Sequence, residues 1–328
     1  MNASLQNDVE ELGRKIKQVK TELHKGIVGQ DEVIEAVLTS IMCNGHVLIE
    51  SVPGLAKTTL VRFLNATIKD SSFQRIQFTP DLLPTDITGV NVYEEHKGFY
   101  TIKGPIFANI ILGDEINRTP PKVQSAMLQA MAEREVTIGR ETFPLPKPFL
   151  VLATQNPLEQ QGTYPLALAQ SDRFMFKVDM DYPAEDEEFH IIDQNIDVKR
   201  LEDFGLEQCL SFPDIFRLQE ITKKIHISEE VKEYVVNLID ATRYPDNYGI
   251  KAGRYVRWGV SPRATIALVL AAKAKAVLAG RTYVIPEDVR TIVYPVIRHR
   301  LILNYEAKAR EISPDSIISE IVKMVPVT

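Results

Sequence analysis

The chain has 328 residues, 45% of them apolar and 25% charged, with a formal net charge of −6. That length suits about two domains of roughly 100 to 200 residues, and the composition excludes disordered, collagen-like and disulfide-framework classes. The negative balance supplies no broad basic field for phosphate backbones, so a nucleic-acid motor is the least favoured function class.

Residues 1–25 carry charges throughout and lack the apolar core of a signal peptide, and no uncharged apolar run in the chain reaches ~18 residues. They are expected to form an N-terminal helical segment of a cytoplasmic protein without membrane insertion. Cys43 and Cys209 lack CxxC spacing, which fits a reducing compartment and not a zinc site. Over residues 31–44, Val33, Ile34, Val37, Leu38 and Ile41 share one helical face, and Asn44-Gly45 stops the helix before an apolar strand at 47–49.

Further apolar runs at 110–112, 149–153 and 175–178 read as strands of a parallel sheet buried on both faces. Helical patterns at 60–64 and 123–131 separate them, so residues 26–183 are expected to form a doubly wound α/β domain whose strand ends bind ligands. Two irregular segments, 82–104 with a tip at His96-Lys97-Gly98 and 135–148 with a tip at Gly139-Arg140, read as inserted β-hairpins. After Tyr182-Pro183 the pattern is helical only, with apolar spacing at 231–239, 266–277 and 289–297. Residues 184–328 are therefore expected to be a smaller all-α domain, in which 244–259 forms a long loop. Lys251, Arg254 and Arg257 in that loop, with Tyr255 and Trp258, read either as a solvated surface or as a docking site for an acidic partner.

The segment Ser51-Val52-Pro53-Gly54-Leu55-Ala56-Lys57-Thr58, followed by Thr59, lies between a strand and a helix, the context required of a phosphate-binding loop. Its backbone N–H groups and the helix N-terminus can surround an anion, Lys57 can reach the β and γ phosphates, and the Thr58 hydroxyl can ligate Mg²⁺. Ser51 and Ala56 stand where glycines are usual; a left-handed conformation there would cost ~1 to 2 kcal/mol.

The strand at 110–112 runs into Asp114-Glu115, which read as a magnesium ligand and a water-polarising base, or as an acidic helix start. Asn156, after the strand at 149–153, could bond the γ-phosphate or start the turn before Pro157. Ser261-Pro262 reads as an N-cap followed by Pro at the first helical position, and puts Arg263 in the first turn. A cation there opposes the helix dipole unless an anion lies nearby.

Together these residues resemble the MoxR family of AAA+ ATPases. The resemblance is carried by Val28-Gly29-Gln30, the phosphate loop, Phe78-Thr79-Pro80-Asp81-Leu82-Leu83-Pro84, Gly104-Pro105-Ile106-Phe107, Asp114-Glu115-Ile116-Asn117-Arg118 and Ala153-Thr154-Gln155-Asn156-Pro157. Asp172-Arg173-Phe174 and Gly259-Val260-Ser261-Pro262-Arg263 extend it to roughly residues 20–305. It implies ATP and Mg²⁺ as cofactors, nucleotide contacts from Val28, Gly29 and Gln30, Lys57 and Thr58 in Walker A, Asp114 and Glu115 in Walker B, Asn156 as sensor 1 and Arg263 as sensor 2.

Arg173 looks like the arginine finger given to a neighbouring subunit, with Arg118 the competing donor. The family pattern has glycine at Ser51, glutamate at Leu168 and leucine at Ser171, and usually alanine at Ala56. The resemblance further implies a homo-oligomeric ring, commonly a hexamer. Such a ring is chaperone-like, remodels or matures a client complex, as in metal insertion, and works with von Willebrand factor A domain partners. The alternative is an ATP-gated scaffold with little hydrolysis.

Overall fold

The computed structural model describes residues 3–96, 98–158, 162–195 and 200–327. Lys97, at the expected tip of the first hairpin, lies outside them. By their contacts the residues fall into two compact units, one of Lys15–Phe174 and Val178–Phe216, the other of Met1–Arg14, Met175–Lys177 and Arg217–Thr328. The N-terminal segment is a helix, Ala3–Leu23. The first unit runs past residue 184 because the later chain is tied back to it. Leu210 bridges Ile68 in parallel, and the Glu207 N–H donates to Glu22 Oε2 at 2.9 Å.

The first unit is built on a sheet. The strands up to residue 180, in chain order, are β1 Val47–Ser51, β2 Phe73–Gln77, β3 Gly89–Glu94, β4 Gly98–Lys103, β5 Ile110–Asp114, β6 Glu135–Ile138, β7 Glu141–Pro144, β8 Leu150–Gln155 and β9 Phe176–Met180, of which Phe176 and Lys177 count with the second unit. Five of them make the main sheet in the order β2-β5-β8-β1-β9, and the pairs β2/β5, β5/β8 and β8/β1 are parallel. Every residue of β5 is buried, and β8 is buried up to Ala153 and Thr154. Such two-sided burial selects continuous Ile, Leu and Val runs, which is why these strands are visible as apolar stretches.

β2 is the strand that apolar patterning misses. Only Ile76 is buried in Phe73-Gln74-Arg75-Ile76-Gln77, as suits an edge strand. Its register sets Arg75 beside Leu112 and Gln77 beside Asp114.

Both inserted hairpins are present. β3 pairs antiparallel with β4 from Gly89↔Lys103 to Glu94↔Gly98, and β6 with β7 from Glu135↔Pro144 to Ile138↔Glu141, with Gly139-Arg140 at the turn. A short helix, Pro84–Thr88, precedes β3 and was not expected. At the base of that hairpin Gly89 has φ 104°, and a Cβ there would stand 2.2 Å from the Ile102 carbonyl oxygen, so glycine is required.

The second unit is mainly helical, with Glu229–Arg243, Pro262–Leu278, Pro286–Ile297, Tyr305–Ala309 and Pro314–Met324. Ala264, Ala271, Ala272, Ala274 and Ala276 are buried along one of these helices, small enough for close approach of its neighbours. The expectation of helices alone is corrected by β10 Val256–Trp258, which pairs antiparallel with β11 Ile302–Leu303. Nor is 244–259 a long loop. It contains the 3₁₀ turns Pro245–Tyr248 and Lys251–Tyr255 and then β10.

Its order comes from residues distant in sequence, which a local pattern cannot show. Glu320 accepts the N–H groups of Lys251 and Ala252 at 2.8 and 3.0 Å, Asn304 Nδ2 donates to the Arg254 carbonyl at 2.7 Å, and Tyr255 is buried.

A charge pair locks the turn before Pro286–Ile297. Arg281 Nη1 and Nη2 donate to Asp288 Oδ2 and Oδ1 at 2.9 and 2.6 Å, and Asp288 Oδ2 also accepts the Ile285 N–H at 2.9 Å. Asp288 is only 6% exposed. Removing one partner of a buried pair strands the other charge, so Arg281→Ala is expected to destabilise this unit by about 3 kcal/mol, measured by urea unfolding. Equal unfolding midpoints for both proteins would refute it.

Candidate functional site

β1 delivers the phosphate loop to the start of helix Lys57–Ala66. Ala56 takes the left-handed conformation at φ 54° and is the N-cap, and its carbonyl accepts the Leu60 N–H at 2.9 Å. The expected strain is therefore present at Ala56, while Ser51, inside β1, is not among the left-handed residues. Ser51 is buried and its hydroxyl has no hydrogen-bond partner among the described residues. The N–H groups of Lys57, Thr58 and Thr59 lie in the first helical turn, where no earlier carbonyl of the helix can accept them and an anion can.

A cavity of about 300 Å³ opens above this loop, lined by Pro53 to Thr59 together with Arg75, Gln77, Asp114 and Glu115. The Lys57 ammonium rests on the Val52 carbonyl at 3.3 Å. Its pKa is lowered by burial, a tendency that the nearby Asp114 and Glu115 carboxylates oppose. Asp114 ends the interior strand β5 and is 7% exposed. Its Oδ1 accepts the Thr154 hydroxyl at 2.7 Å, and its Oδ2 accepts Arg75 Nη2 at 2.6 Å and Nε at 3.2 Å.

Glu115 follows in the left-handed region at φ 58°, held there by its own N–H donating to Thr154 Oγ1 at 2.9 Å. Such a conformation in a non-glycine residue costs free energy and clusters at functional sites. Glu115 Oε2 accepts Gln77 Nε2 at 3.0 Å and Arg118 Nη1 at 2.9 Å.

Asn156 is buried, and its Oδ1 accepts the Leu158 N–H at 3.0 Å, the turn-starting bond that its place before Pro157 suggested. Its carboxamide NH₂ is a separate donor. It is not among the residues lining the cavity, and neither are Arg173, Val28, Gly29 or Gln30.

Gly29 and Gln30 have φ 62° and 57° and lead into helix Asp31–Met42, with Gln30 Nε2 donating to the Asp181 carbonyl at 2.8 Å. A Cβ on Gly29 would fall 2.4 Å from Glu187 Oε1, a side-chain end that could move aside, so it is the positive φ that favours glycine there. Arg173 is exposed after the short helix Leu168–Ser171, between buried Ser171 and Phe174. Arg118 is engaged with Glu115 of its own chain. Arg263 belongs to the second unit, in the first turn of Pro262–Leu278 after the N-cap Ser261.

Arg75, Gln77 and Thr154 were not singled out from the sequence. The available signal was the i, i+2 placement of Arg75 and Gln77 in a short run before Phe78, which puts both on one face of a strand.

The residues fit a magnesium nucleotide. The cavity presents a hydroxyl, a carboxylate and an ammonium beside helix N–H donors, a hard-oxygen set suited to Mg²⁺ shared with phosphates. Among the described residues no group of three or more His, Cys, Asp or Glu could hold a metal by itself.

The ATPase family associated with various cellular activities (AAA) matches residues 46–176, and the AAA lid domain matches residues 251–321. The chain is 46% identical to Chaperone MoxR1 of Mycobacterium tuberculosis over 97% of its own length and 82% of that protein's. It belongs to the MoxR family of AAA+ ATPases.

The MoxR-family chain is also 41% identical to YeaC of Bacillus subtilis, over 96% of its own length and 94% of the relative's. A crystal structure from Cytophaga hutchinsonii superposes with a TM-score of 0.92 at 45% identity, covering 99% of this chain and 98% of the other. Its α/β sheet unit with inserted hairpins and its mainly helical lid are thus the MoxR-family AAA+ arrangement, and no helix among the described residues is long and apolar enough to cross a membrane.

Proposed function

We propose that this MoxR-family chain is a Mg²⁺-dependent ATP-hydrolysing motor that assembles as a homo-oligomeric ring, a hexamer in our reading, and remodels or matures a client complex. The observation that carries this reading is the meeting of Lys57, Thr58, Asp114 and Glu115 around one cavity at the phosphate loop. Thr58 and Asp114 would hold Mg²⁺, which would supply neutralisation of phosphate charge. Lys57 and the helix N–H groups orient the phosphates, and Glu115 polarises the attacking water. Asn156 acts as the first sensor through its NH₂ group and Arg263 as the second. Val28, Gly29 and Gln30 contribute contacts to the nucleotide.

Arg173 completes the site of the adjacent subunit. Its exposure supports that role, as does the engagement of Arg118 with Glu115 in the same chain. The client is a protein complex, with metal insertion and von Willebrand factor A domain partners as candidate outputs, and the cytoplasm as the compartment.

Lys57→Ala is expected to weaken ATP binding about 10- to 100-fold, the loss of ~1.5–3 kcal/mol from a charge-assisted bond, read by calorimetric titration. Unchanged affinity would remove the phosphate-loop assignment.

One observation favours a second reading, an ATP-gated scaffold with little hydrolysis: Gln77 and Arg118 both hold Glu115 Oε2. Steady-state phosphate release from the assembled ring separates the two, since the scaffold would bind ATP without sustained turnover.

A further inference from the structure

We infer that Arg75 is a built-in cation that competes with a metal for Asp114, and that Arg75 leaves this carboxylate when the metal–nucleotide complex binds. The inference rests on reading Asp114 as a ligand to that metal.

The Oδ2 atom of Asp114 cannot ligate a metal in the arrangement seen, while Oδ1 keeps a lone pair. Oδ1 is engaged by Thr154 and Oδ2 accepts both Nε and Nη2 of Arg75, which fills the lone pairs of Oδ2. A buried carboxylate also needs a positive partner, and Arg75 supplies one. Exchange of guanidinium for metal keeps the acid compensated throughout.

The two partners differ in freedom. Asp114 ends β5, which is buried along its whole length, and its side chain is 9% exposed. Arg75 sits on the edge strand β2 with a side chain 47% exposed, so it can turn toward solvent or phosphate without disturbing the core. It lines the same cavity as Lys57 and Thr58.

Departure of Arg75 also reaches Glu115. Arg75 Nη2 donates to Gln77 Oε1 at 2.5 Å, and Gln77 Nε2 donates to Glu115 Oε2 at 3.0 Å. Releasing Asp114 thus frees the amide that fixes one side of the water-polarising carboxylate. Arg75 is a positioning residue, and its cost to the protein is a lowered apparent metal affinity, because Asp114 is available only for the fraction of time it is uncovered.

The test measures Mn²⁺ binding by electron paramagnetic resonance in the presence of adenylyl imidodiphosphate, for wild type, Arg75→Gln and Arg75→Lys. Arg75→Gln is expected to raise apparent Mn²⁺ affinity about tenfold. Arg75→Lys, which lacks the planar fork, should lie between it and wild type. Unchanged or weakened Mn²⁺ binding in a folded Arg75→Gln protein overturns the inference. Should that variant fail to fold by circular dichroism, Arg75→Lys decides in the same way, a rise supporting and no change refuting. Wild-type protein whose nucleotide binding ignored Mn²⁺ altogether would instead defeat the reading of Asp114 and Thr58 as the metal site.

Discussion

Glu115→Gln is expected to lower the steady-state rate of phosphate release by about 10² to 10⁴ while ATP affinity stays close to wild type. The substitution is nearly isosteric, so it isolates chemistry from packing. Glu115 is placed by its backbone, through the Thr154 hydroxyl that accepts its N–H and through its left-handed φ of 58°, and neither depends on the carboxylate. Glutamine keeps an oxygen for Gln77 and Arg118, the two donors now on Oε2, but it cannot take up a proton from water. Binding should persist because Lys57, Thr58 and the helix N–H groups are untouched. Undiminished turnover would show that Glu115 is not the base, and the scaffold reading would predict little change because little turnover exists to lose. The same protein, held with ATP, is the form in which a client should be retained longest, and affinity capture followed by mass spectrometry would then name it.

What made part of this site legible in the sequence was its dependence on chain direction. Lys57 and Thr58 follow a strand and open a helix, and Asp114 and Glu115 end an apolar strand, so local order alone places both pairs at strand ends. Three buried strands, β1, β5 and β8, could be read for a related reason, because two-sided burial leaves an unbroken apolar run, whereas β9, expected to be buried on both faces, is an edge strand with alternating burial. Arg75 and Gln77 could not be read this way. Their contacts arise from the lateral register of β2 on β5, and β2 is a polar edge strand without the apolar signature that reveals its neighbours.

Asn156 illustrates a different limit. Its bond to the Leu158 N–H is ordinary turn chemistry, foreseeable from the following proline. Any sensing role resides in the other end of the same carboxamide, about which the turn says nothing. In the second unit β10 and β11 join segments far apart in the chain, and a two- or three-residue strand carries too little periodicity to be recognised.

Arg173→Ala is expected to cut turnover by about 10³ or more with ATP binding retained, as for loss of an arginine donated in trans. The surroundings of Arg173 are those of a presented side chain. Phe174 is fully buried behind it and the Ser171 hydroxyl closes onto the Leu168 carbonyl at 3.0 Å, while Arg173 itself faces outward. The approach to it is also fixed, since the Tyr164 N–H donates to the Asn117 carbonyl at 2.7 Å and Gln124 Nε2 to the Tyr164 carbonyl at 2.9 Å. Those bonds tie the segment leading to Arg173 to the turn that follows Glu115, so the two residues share one support.

Complementation distinguishes donation to a neighbour from action within the chain. Arg173→Ala protein keeps Glu115, and Glu115→Gln protein keeps Arg173. In a closed ring of equal, randomly mixed subunits roughly a quarter of the interfaces therefore combine an intact base with an intact arginine. Phosphate release should recover in proportion, although each protein alone is nearly inactive. Rings shown by mass spectrometry to be mixed, yet without recovery, would place the function of Arg173 inside its own subunit and leave the trans donor to be sought elsewhere.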